Sequence, residues 1–70
     1  MMKRFWVQVR LFYRGGFGFP SSRYLEYVGC HPNSHAARQA ARVWAVHRSG
    51  VPPYRVKNAN TRVLRWQPGC

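Results

Sequence analysis

Arg4, Trp6, Gln8, Arg10, Phe12 and Arg14 occupy every second position of the stretch KRFWVQVRLFYR. The positions between them hold Phe5, Val7, Val9, Leu11 and Tyr13. Successive side chains of an extended strand point to opposite faces, so the apolar set reads as a buried face and the mixed set as an open one. The open set has a definite chemistry: its rings can stack on nucleic-acid bases while its guanidinium groups meet phosphates. The same residue types are enriched in the hot spots of protein interfaces, so a protein partner is the competing reading. RNA-recognition sheets work on this plan, but their aromatic signature is absent here and that family is not assigned.

Charge weighs toward a polyanion. The 70 residues carry twelve Lys and Arg against a single acid, Glu26, for a net charge of +11. Ten of those twelve cations are Arg, the residue suited to planar, bidentate contact with phosphate or carboxylate. Codon bias accounts for Arg in place of Lys but not for the near absence of acids. A chain this basic repels itself and attracts nucleic acid or a nucleoprotein. A second cationic line, Arg38 and Arg42 with Arg48 further on, is expected on the outer face of a helix. There it could track a phosphate backbone or simply be solvated.

Other chemistries find less support. Of the histidines, only His31 and His35 lie close together, Pro32 keeps them off a shared helical face, and no C-x-x-C pair anchors a site. His47 reads as a core histidine. One carboxylate side chain allows no acid–base pair, and nothing marks Cys30 as an activated nucleophile. The GGFGF run leads to Pro20 and a strand instead of the helix that a phosphate-binding loop requires. The chain therefore reads as a non-enzymatic binding module with no cofactor and no metal.

The elements that would position these residues follow from local signals. The first strand ends in GGFGFPSS, expected to be the most mobile segment, with Phe17 and Phe19 exposed in it. RYLEYVG alternates as a second strand, placing Tyr24, Glu26 and Val28 opposite Arg23, Leu25 and Tyr27. Asn33 or Ser34 caps a helix that Gly50, Pro52 and Pro53 terminate. At 100° per residue its inner face is expected to carry Ala36, Ala40, Val43, Trp44 and His47, with Ala37 at the margin and Trp44 as the core anchor. Arg38, Arg42 and Ser49 fall opposite. YRVKNANTRVLRW is either two short strands around NAN or one strand with a bulge, Arg62, Leu64 and Trp66 alternating with Thr61, Val63 and Arg65.

These signals give an α+β fold, β-β-α-β(-β), an antiparallel sheet of three to four strands with one helix across one face. Residues 1–67 form a single domain and 68–70 a loose tail. One helix covers only one face, so the Arg/aromatic face of the first strand is left open.

Nothing directs the chain to a membrane, since no apolar run approaches the ~20 residues a spanning helix needs. Gln8 and Arg10 interrupt any signal-peptide core, and the alternation of the N-terminal third reads as a strand, not an amphipathic transit helix. Two cysteines, Cys30 and Cys70, are too few for a disulfide framework, which makes a reduced, cytoplasmic protein the default.

The run from Tyr24 to Gly50 is a strand through Glu26–Val28, a Ser-capped loop and a helix with the Ala36, Ala40, Ala41 spacing. In size and β-α rhythm it resembles small phage-encoded host-takeover proteins, among them anti-CRISPR inhibitors of α+β fold. The resemblance covers 27 of the 70 residues and transfers no functional residue. It implies an inhibitor acting by protein–protein binding. Many such inhibitors are acidic DNA mimics; a +11 chain is not, so its basic face would engage an acidic protein surface or the nucleic acid of a nucleoprotein complex.

Overall fold

The structure, a computed structural model, describes residues 1–15 and 21–70. The expected mobile segment, with Phe17 and Phe19, lies largely outside the described residues. Three strands and one helix follow in the order β1 (Lys3–Tyr13), β2 (Ser22–His31), α1 (Ser34–Ser49) and β3 (Val56–Pro68), with a 3-10 turn at Pro53–Arg55 before β3. The sheet is antiparallel with strand order β2-β1-β3, and α1 packs across one face of it. The α+β architecture expected from the sequence is the one observed, with three strands.

β1 is central because its alternation is the cleanest in the chain. Phe5, Val7, Val9, Leu11 and Tyr13 are all buried, while the residues between them are half-buried or exposed. Tyr27, Leu25 and Arg23 pair beside Val7, Val9 and Leu11 on one flank; Val63, Thr61 and Ala59 pair beside them on the other. The core is completed by Ala37, Ala41 and Ala45 of α1, each fully inaccessible to solvent.

That alanine line corrects the expected helix orientation. The buried stripe is Ala37, Ala41 and Ala45, not Ala36, Ala40, Val43 and His47: the helix is turned by one residue, about 100°. Val43 is 60% exposed and His47 is exposed. Trp44 is half-buried at the flank, its ring 5.5 Å from that of Tyr27, and so is not the central anchor. The physical reason is close approach. Only methyl-sized side chains let the helix lie flat on the Val7–Val9–Leu11 ridge, whereas an indole in that line would hold it off. The helix ends are built as the sequence indicates. Asn33 Oδ1 accepts from Ala36 N at 2.8 Å, and Gly50 takes the left-handed conformation at φ 73°.

β3 is one continuous strand, and NAN lies within it. Its irregularities fall on either side of that triplet: between Phe12 and Tyr13 the pairing skips Lys57, and between Trp6 and Val7 it skips Leu64. The second bulge shifts the phase of everything after it, so Arg62 and Arg65 stand on the same face and the expected alternation of Arg62, Leu64 and Trp66 is broken.

The C-terminus also departs from expectation. Cys70 is disulfide-bonded to Cys30, so the tail is tied across the end of the sheet and the two thiols are not free. Among the described residues no helix is long and apolar enough to cross a membrane.

Candidate functional site

The face of the sheet turned away from α1 is built in rows by the strand register. Arg4 lies between Cys30 and Gln67, Trp6 between Val28 and Arg65, and Gln8 between Glu26 and Arg62. Arg10 lies between Tyr24 and Asn60, and Phe12 between Ser22 and Asn58. Since paired residues of an antiparallel sheet share a face, these fifteen side chains form one surface. No element among the described residues covers it. Helix α1 is on the other side, and Trp6, Gln8, Arg10 and Phe12 remain half-exposed while Tyr24 is 56% exposed.

Cations and rings on this surface are in direct contact. The Arg65 guanidinium lies 4.0 Å from the centre of the Trp6 ring. Arg10 sits between two rings, 4.7 Å from Phe12 and 5.1 Å from Tyr24. A guanidinium placed over a ring face in this way is attracted by the ring's negative face. Beside Arg10 is a shallow hollow of about 150 Å³ lined by Gln8, Arg10, Tyr24, Asn60, Thr61 and Arg62. The Nε of Arg10 is buried and has no hydrogen-bond partner among the described residues. A buried charged donor without an acceptor is costly, and an incoming oxygen would relieve it.

Of the residues singled out in the sequence, Arg4, Trp6, Arg10 and Phe12 come together on this face. Arg14 does not. It follows the end of β1, its backbone N donating to Arg55 O at 2.7 Å and its Nε donating to Tyr54 O at 3.1 Å. Arg38 and Arg42 belong to the helix, on the opposite side of the sheet. Arg38 is exposed and borders a cleft of about 430 Å³ with Lys3 and Trp66, whose ring lies 4.9 Å from the Lys3 ammonium. Arg42 is a correction: it is not on a solvated outer face but half-buried, its Nε donating to Ala59 O at 3.3 Å. With the helix turned by one residue, position 42 moves to the boundary between α1 and β3.

The sequence reading left out Tyr24, Asn60, Arg62 and Arg65. The face of Tyr24 follows from strict alternation in β2, but its place beside Arg10 depends on the register between β1 and β2. The face of Arg65 does not follow from alternation, because its place depends on the bulge at Leu64. Other residues of interest are engaged elsewhere: the Tyr27 hydroxyl and His31 Nε2 share a hydrogen bond at 2.7 Å, and Cys30 is in the disulfide. Compared with known proteins, the chain matches no family model, no curated protein and no solved structure.

Proposed function

We propose that the protein is a non-catalytic nucleic-acid-binding module that uses the open face of its sheet. One observation carries this reading. The uncovered face gathers Arg4, Arg10, Arg62 and Arg65 around Trp6, Phe12 and Tyr24, and holds a single acid, Glu26. Guanidinium groups supply phosphate contacts, and the rings supply platforms on which bases stack irrespective of sequence. The +11 net charge adds long-range attraction to any polyanion. A cytoplasmic location belongs to this proposal in its dithiol form, because a reducing compartment keeps cysteine pairs open.

The test is the salt dependence of binding to a labelled oligonucleotide. Each phosphate neutralised contributes ~0.7–0.9 to the slope of log K against log salt, so four arginines give a slope of about 3. An affinity that stays flat from low to moderate salt rejects the reading. Absence of oligonucleotide binding together with a nuclease-resistant complex with a protein partner supports instead the protein-directed inhibitor implied by the phage resemblance.

A further inference from the structure

We infer that the ligand of this face is single-stranded nucleic acid, with its phosphates running along β3 and its bases lying over β1 and β2. The inference rests on the nucleic-acid reading above and goes beyond it. What points to it is the unequal distribution of chemistry across the three strands. On the open face β2 contributes Ser22, Tyr24, Glu26, Val28 and Cys30, with no cation and the only acid. On the same face β3 contributes Asn58, Asn60, Arg62, Arg65 and Gln67, with two cations and no acid. Lys57, displaced by the first bulge, is exposed on β3 as well. Arg4 and Arg10 of β1 stand between the two, so charge rises from β2 across to β3; a polyanionic backbone is drawn to the β3 side and kept off the β2 side by Glu26.

The rings are on the other half of the face. Trp6 and Phe12 are on β1, and Tyr24 is on β2. A duplex turns its phosphates outward and hides its base faces in the stack. Laid on this surface it would press charged oxygens onto three rings and an exposed valine, desolvating both with no stacking in return. Unpaired bases present flat faces that these rings can take. The Arg10 and Arg65 guanidiniums now occupy ring faces at 4.0–5.1 Å. A stacking base takes their place, and each guanidinium turns to a phosphate, which also gives the unpartnered Arg10 Nε its acceptor. Gln8 of β1 and Asn60 and Gln67 of β3 stand on the two adjacent strands where the halves meet, within reach of base edges and sugars.

The experiment compares an oligothymidylate of about 12 nucleotides, a length within known single-strand site sizes, with the same strand annealed to its complement. Wild-type protein, in its disulfide form and again after reduction, is titrated with each at several salt concentrations. The single strand should bind at least tenfold tighter than the duplex. Trp6→Ala and Tyr24→Ala should weaken single-strand binding roughly tenfold to a hundredfold without changing the salt slope, and Trp6→Phe should restore most of the loss. Arg62→Ala and Arg65→Ala should each lower the slope by about 0.7. Equal or tighter duplex binding overturns the single-strand inference and leaves the nucleic-acid reading standing. Binding to neither probe at low salt removes both. The wild-type comparison needs no variant, so a misfolded mutant does not obscure the result.

Discussion

Arg42 and Arg38 lie one turn apart on the same helix, yet they have different jobs. Arg42 reaches across to the backbone of β3 and donates to Ala59 O, whereas Arg38 stays exposed beside Lys3 and Trp66. Their identity in sequence conceals this, because a guanidinium reports its charge but not its neighbours. Arg42→Ala should lower the unfolding free energy by about 1 kcal/mol, the usual contribution of one such hydrogen bond, and leave the salt slope of nucleic-acid binding unchanged. Arg38→Ala should leave stability within about 0.5 kcal/mol of wild type, as exposed substitutions usually do. Urea denaturation of the two variants separates these outcomes, and equal stability would mean the Arg42–Ala59 contact contributes nothing. On the open face, Arg10 was legible as a cation on a strand. Its place between Phe12 and Tyr24 was not, since one of those rings comes from another strand.

Among the elements, the helix shows best where sequence patterns mislead. Its periodicity allowed two neighbouring faces, one holding Trp44 with Val43, the other a bare line of alanines. Hydrophobicity alone favours the first. Packing against a β1 ridge of Val7, Val9 and Leu11 selects the second, because closeness to the ridge is worth more than the size of any one helix side chain. Ala41→Leu should therefore overpack the interface and cost about 1–3 kcal/mol, while Val43→Lys, at a position 60% exposed, should stay within about 0.5 kcal/mol. The reverse order of midpoints would restore the first face as the buried one. Gly29 is a second case. It pairs with Phe5, and a Cβ there would run into the Tyr27 ring, which folds back over the glycine to reach His31. In β3 the bulge at Leu64 cannot be read from spacing, because the pattern before it and the pattern after it are each regular by themselves.

Taken whole, the molecule is a sheet whose two outer strands are joined twice over, through β1 between them and through the Cys30–Cys70 bond at one end. The bond spans 40 residues of sequence and so encloses β2's end, the helix and all of β3. Closing a loop of that length restricts the unfolded chain, and reducing it should cost about 2–4 kcal/mol of stability. Thermal unfolding with and without a dithiol reductant measures this; an unchanged midpoint would mean that the tail adds nothing to the folded state. The fold class and the existence of an Arg/aromatic strand face turned away from the helix were determined locally, by side-chain alternation, an N-cap, a terminating glycine and the scarcity of acids. Those signals act over a few residues and are written in their order. The rotation of the helix, the capture of Arg14 and Arg42 by backbone carbonyls, the arrival of Arg65 beside Trp6 and the pairing of Cys30 with Cys70 were decided only when distant segments met. Each depends on register or close approach between chain segments far apart in sequence, and neither quantity exists in the unfolded string of residues.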